Sequence, residues 1–114
     1  MSKPFSIVSS PLFRLSVQRF KAFLSDKYGE QKAADTLTAI QQRILQHLPN
    51  TPEIAPISER LFALGITEYR QWQLDGHNLL FYSVNEQQHQ IELLLSMDSR
   101  QSLQKLLFEL NLLL

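Results

Sequence analysis

Residues 67–97 read TEYRQWQLDGHNLLFYSVNEQQHQIELLLSM, and the fold turns on how this stretch is divided. It holds three strand-like runs separated by two turn signals. Residues 69–74 alternate and contain the only tryptophan, Trp72. Asp75-Gly76 is a two-residue hairpin signal, because both residues tolerate the positive φ of a type I′ turn. Residues 79–84 (LLFYSV) are almost wholly apolar, residues 85–88 (NEQQ) are polar and turn-like, and residues 91–95 (IELLL) are apolar again. Three consecutive runs predict an antiparallel meander. A middle strand that is apolar at adjacent positions predicts cover on both faces of the sheet.

Upstream, residues 3–9 (KPFSIVS) read as a short first strand. Ser10-Pro11 then announces a helix, serine capping the free amides and proline occupying the first helical position. Phe13, Val17, Phe20 and Leu24 form an amphipathic stripe, widened by Phe23 and Tyr28. Gly29 ends this helix as an αL residue. A second helix carries Ala33, Leu37, Ile40, Ile44 and Leu48 at helical period and stops at Pro49. So short a connection predicts an antiparallel helical hairpin.

Residues 50–65 have the apolar content of an ordered loop, too rich for a disordered linker, and are expected along the sheet edge or the helix ends. Downstream, Asp98 or Ser99 is expected to cap a last helix, with Gln101 completing a capping box. That helix would place Arg100 in its first turn and show a stripe of Leu103, Leu106, Leu107, Leu110 and Leu113. The chain then closes on Leu112-Leu113-Leu114. The order β-αα-βββ-α predicts an α+β fold, an N-terminal strand and antiparallel helical hairpin on a small antiparallel sheet, with the last helix on the other side or end.

Size and charge bound the function. At 114 residues one domain over residues 1–114 is expected, burying roughly 65% of its unfolded surface. No run approaches the roughly 18 apolar residues of a membrane span, and no secretory signal is seen, so a cytoplasmic protein is expected. There is no cysteine, which excludes disulfides and thiol nucleophiles. Residues 1–48 hold seven Lys/Arg against three acids, and residues 49–114 hold four against eight. A sheet half that is net acidic is poorly suited to nucleic-acid backbones, where clustered positive charge drives binding.

Motifs for common chemistries do not occur. The three glycines are not spaced as a phosphate loop, and His47, His77 and His89 share no ligand spacing. No metal and no cofactor is expected. Polar candidates near the sheet are Arg70, Gln73, Asp75, His77, Tyr82, Asp98 and Arg100. Arg70, Trp72 and Leu74 share one strand face by period two. Tyr82 lies with Leu80 and Val84, where a buried phenol with one hydrogen bond is the simplest role.

The element order, together with Arg70, the run 74–84 (LDGHNLLFYSV) and the corner 94–100 (LLSMDSR), resembles the RelE/ParE toxin superfamily of bacterial type II toxin–antitoxin modules. There a strand resembling Y-x-I-x-Y-x-V follows one opening with LR, and the next strand ends in a V-L-H-x-x-R-like corner. The resemblance implies a growth-inhibiting toxin neutralised by a cognate antitoxin in a hetero-oligomer, within plasmid or chromosomal stabilisation. RelE-like members are ribosome-dependent mRNA endonucleases, whereas ParE-like members inhibit DNA gyrase by protein contact.

The RelE-type arginine of the middle strand would fall at about Leu79, and the corner histidine at about Asp98. Arg60 is the only base near the lysine pair's position. Cleaving RNA without those groups would forfeit several factors of about 10²–10⁴. The resemblance therefore points to a ParE-like toxin binding a protein target such as gyrase. Its contacts are expected at Arg70, Trp72, His77, Arg100, Leu103, Leu107 and Leu110. The alternatives are an mRNA endonuclease using Arg70, Tyr82 and Arg100 on ribosome-bound mRNA, or a non-toxic binding homologue.

Overall fold

Ser10, in extended conformation, accepts a hydrogen bond on its hydroxyl from the Phe13 amide (3.0 Å) and starts an 18-residue helix at Pro11. In the computed structural model, which describes residues 3–110, the elements run β1 (Ser6–Ser9), α1 (Pro11–Tyr28), α2 (Glu30–His47), α3 (Glu59–Ala63), β2 (Arg70–Gln73), β3 (Asn78–Asn85), β4 (Gln90–Asp98) and α4 (Leu103–Glu109). Gly29 separates the two long helices with φ 91° and ψ 163°, not the expected αL geometry. Its amide closes α1 on Ser25 O and its carbonyl accepts from Ala33 of α2. One residue serves both caps, so the hairpin needs no further loop.

The four strands stand in the order β1-β4-β3-β2. The meander is antiparallel as expected, but β1 joins it parallel to β4, with Ile7 opposite Ile91. The sheet is therefore mixed. The reason is the hairpin. The Ser10 amide bonds Leu93 O, so α1 carries on along β4 in the direction of β1. Helix α2 then returns the chain to where β1 began, with the Phe5 amide on Pro49 O at 2.8 Å. β2 starts from that end, and two reversals leave β4 running with β1.

Both faces of the sheet are covered. Helices α1 and α2 pack on one face over Trp72, Leu74, Leu80, Tyr82, Ile91 and Leu93. Helix α4 lies on the other, with Leu103, Leu106, Leu107 and Leu110 against Leu79, Phe81, Leu95 and Met97. Leu80, Phe81 and Tyr82 are each fully buried, and a leucine or phenylalanine so placed contributes about 1.5–3 kcal/mol of apolar burial. Strand β4 supplies both faces through a bulge. Phe81 pairs with Leu95 and Tyr82 with Leu93, which leaves Leu94 extra and reverses the side-chain alternation. Ile91 and Leu93 thus meet the hairpin, while Leu95 and Met97 meet α4.

Two local expectations are corrected. No residue of the β2–β3 turn has positive φ, so Asp75-Gly76 does not form a type I′ turn. The Leu74 amide still bonds Asn78 O, and a three-residue loop, Asp75 to His77, joins the strands, with the Asn78 amide reaching back to Asp75 O. Asp98 and Ser99 do not cap the last helix either. Pairing of Asp98 with Asn78 keeps residue 98 in β4, and Ser102 caps α4 by accepting from the Lys105 amide at 3.2 Å. Arg100 therefore stands in the strand–helix corner, not in the first helical turn. Residues 112–114 lie outside the described part of the chain.

Residues 55–58 follow the β2 edge, one of the two places expected for the 50–65 loop. The Gln71 amide donates to Pro56 O and the Ser58 amide to Tyr69 O, which occupies the outer side of β2. Within this loop Ser58 caps α3, and Leu61 is fully buried.

Candidate functional site

The strand–helix corner, the β2–β3 loop and the helical hairpin's turn converge on one groove. Its deeper part encloses about 240 Å³ among Leu24, Tyr28, Lys32, His77, Asp98 and Arg100, and a shallower arm continues along α2 past Thr36. Each wall has a local cause. Strand pairing at the end of β4 holds Asp98 inside, at 1% exposure. Arg100 then folds back on it, Nε donating to Oδ1 and Nη2 to Oδ2, both at 2.8 Å, while the Arg100 amide also donates to Oδ1. Bidentate pairing of this kind fixes the guanidinium plane.

The same guanidinium lies over two aromatic rings. Its carbon lies 5.8 Å from the centroids of both Phe23 and Tyr28. Lys32 Nζ stands 4.9 Å from the Tyr28 ring. On the loop side, His77 Nδ1 and Ser99 Oγ are 3.2 Å apart, and Asn78 Nδ2 donates to Asp75 Oδ1 at 2.6 Å. The groove thus presents an oriented guanidinium, an exposed imidazole, an ammonium and a phenol, with the exposed carboxylates of Asp75 and Asp35 beside them. Such a mixed set suits a polar partner offering hydrogen-bond acceptors to the guanidinium and donors to the carboxylates.

Electrostatics follow from the geometry. Burial by itself would raise the Asp98 carboxyl. Hydrogen bonds from the Arg100 side chain and amide, with the charges of Arg100 and His77, outweigh burial and hold it below the usual carboxylate range. The Arg100 guanidinium is raised in return, by the Asp98 hydrogen bond first and then by Tyr28. A depressed folded-state pKa stabilises the fold fully above the ordinary carboxyl value, about 3.9, and that stabilisation is lost as pH falls through the folded value. Thermal unfolding of the natural chain is therefore expected to move to lower temperature below about pH 4. Asp98→Asn should flatten the curve in that window. Parallel acid profiles for the two chains would count against an ionised Asp98.

The other sequence-derived candidates are distributed differently. Arg70 pairs across from Tyr82, on the hairpin face of the sheet. Tyr82, fully buried, donates its hydroxyl to Pro52 O at 2.8 Å, and burial is the main cause raising its phenol. Arg70 Nη1 donates to Ala55 O at 2.6 Å. Both side chains thus tie the 50–58 segment to the sheet. The Tyr82 position is four residues from Asn78, which pairs with Asp98, about 13 Å along the strand. Arg70 and Tyr82 are therefore not brought to Arg100. Trp72 is buried at 6% exposure, with the Arg43 guanidinium 5.8 Å from its ring. Leu103, Leu107 and Leu110 are turned into the sheet, and Phe108, at 63% exposure, is the apolar side chain that α4 shows outward.

Of the expected contact residues, His77 and Arg100 share the groove. Tyr28, Lys32 and Asn78 belong to it too and were not among them. Tyr28 sits on the apolar stripe of α1 by period, and nothing local indicates that its ring ends beside residue 100. Among the described residues there is no cluster of metal-ligating side chains, and no helix is long and apolar enough to cross a membrane.

No protein-family model matches this sequence, and no curated protein matches it. Solved structures do. A chain of the RelBE2 toxin–antitoxin complex from Mycobacterium tuberculosis superposes with a TM-score of 0.58 at 12% identity, over 83% of this chain and 98% of that one. The likeness is one of architecture, and it spans almost the whole of the neighbour. This chain shares the α+β fold of that component of the toxin–antitoxin complex.

Proposed function

We propose that this chain is the toxin of a toxin–antitoxin pair and acts in the ParE manner, by contact with a protein target such as DNA gyrase. The observation that carries the toxin reading is the fold shared with a toxin–antitoxin complex over 83% of the chain. Contact is favoured over cleavage by the use to which the candidate catalytic groups are put. Tyr82 and Arg70 hold the 50–58 segment, and the Arg100 guanidinium is engaged by Asp98. His77 and Arg100, at the mouth of the groove, are the proposed contact residues of the expected set. Trp72, Leu103, Leu107 and Leu110 act beneath them as scaffold. A cognate antitoxin neutralises the chain in a hetero-oligomer, laying apolar side chains on surfaces such as the exposed face of α4.

A second reading has one observation in its favour. Lys32, His77, Tyr28 and Arg100 line a single groove, and an mRNA endonuclease needs cationic and proton-transferring groups of these types. Induction of the chain in a bacterial host separates the two. We expect growth to stop, plasmid supercoiling to change early and protein synthesis to fall only later. Co-expression of the adjacent reading frame should restore growth. Immediate arrest of translation with unchanged supercoiling would favour RNA cleavage, and unimpaired growth would sink both.

A further inference from the structure

A second cavity lies toward the other end of the helical hairpin, where α1 and α2 lean over β1 and β4. It encloses about 350 Å³, within the range of small-ligand pockets. Phe13, Leu37, Ile44 and Leu93 are among the apolar side chains of its wall, Ser9 and Gln41 line it as well, and no ionisable side chain lines it among the described residues.

Its floor holds an anomaly. Ser96 is 1% exposed, yet its hydroxyl has no hydrogen-bond partner among the described residues. The bulge at Leu94 is what turns Ser96 toward the cavity instead of toward α4. The neighbouring polar groups are already matched to one another. The Ser96 amide donates to Ser16 Oγ at 3.1 Å, and Ser16 donates to Phe13 O at 2.7 Å. Buried hydroxyls are ordinarily bonded, and this one lies just under the cavity wall, where rotation about the Ser96 side-chain bond brings it to a ligand atom.

The geometry points to a binding site for an uncharged amphiphile, an alkyl or aryl body in the apolar cleft with a carbonyl or hydroxyl reaching Ser96 Oγ. A charged head group carried down to Ser96 is excluded by the wall, which would leave it buried without a counter-ion. This inference is independent of the toxin reading and of the groove at Arg100.

Prodan, a neutral naphthalene ketone whose emission shifts to the blue in apolar surroundings, is the probe for the full chain at micromolar concentration. We expect saturable one-to-one binding, displaced by 2-octanone far better than by octanoate. Ser96→Ala should raise the Kd about fivefold, the worth of one neutral hydrogen bond. Leu45→Trp, at the exposed mouth of the cavity, should abolish saturable binding without unfolding the chain. Phe62→Ser and Phe108→Ser, at apolar side chains exposed elsewhere, should leave the Kd unchanged. Absence of saturable binding overturns the proposal. So does binding indifferent to Ser96→Ala and Leu45→Trp, lost with Phe62→Ser or Phe108→Ser, or displaced equally by octanoate.

Discussion

A chain carrying Leu107→Asp is expected not to hold its fold, whereas Phe108→Asp, one residue on, should be nearly silent. Leu107, on the inner face of α4, is fully buried in the cluster of Leu79, Phe81, Leu95 and Met97, and Phe108 is 63% exposed on the same helix. Losing a buried leucine costs about 2–5 kcal/mol. Placing an unpaired carboxylate in that layer adds several kcal/mol more. Domains of this size are stable by only about 5–15 kcal/mol. The exposed substitution should stay within about 0.5 kcal/mol. Circular dichroism on heating, with the soluble fraction after expression, reads both. If Leu107→Asp melted like the natural chain, α4 would not be the cover of the sheet, and its leucines would be free for a partner.

Much of this architecture is legible in the residues themselves, because it depends on neighbours in the chain. The helical hairpin follows from two stripes, one proline and Gly29, and β3 follows from an apolar run too continuous for a one-faced strand. Where reading failed, two local rules competed and a distant contact chose between them. Asp98 carries the marks of a helix cap, but pairing with Asn78 extends β4 through it, and Ser102 takes the cap instead. Asp75-Gly76 offers a tight turn, but Asn78 bonds both the side chain and the carbonyl of Asp75, which favours a longer loop. The groove at Arg100 lay further out of reach. Tyr28 and Lys32 are more than 40 residues from His77 and Arg100, and no periodicity states which helix end meets which loop. The parallel pairing of β1 is hidden for the same reason.

The sharpest functional contrast is expected between the two ends of the sheet. The double substitution Asp98→Asn with Arg100→Gln removes both charges of the corner pair together, so neither is left unpaired. The new side-chain amide at position 98 keeps an acceptor for the residue 100 backbone N–H, and the fold should persist. Growth arrest should nevertheless be lost by orders of magnitude in viable count, because the oriented guanidinium is gone from the mouth of the groove. Tyr82→Phe should do the reverse. It deletes the hydrogen bond to Pro52 O, costs about 1 kcal/mol of stability and leaves growth arrest intact. Under a cleavage mechanism that relied on the Tyr82 phenol for proton transfer, the same change would reduce activity by about 10²-fold or more. Viable counts after induction, set beside melting temperatures of the same chains, show which end of the sheet carries the activity. Loss of arrest in Tyr82→Phe with its fold intact would move the active groups to the Arg70–Tyr82 end and replace contact with chemistry.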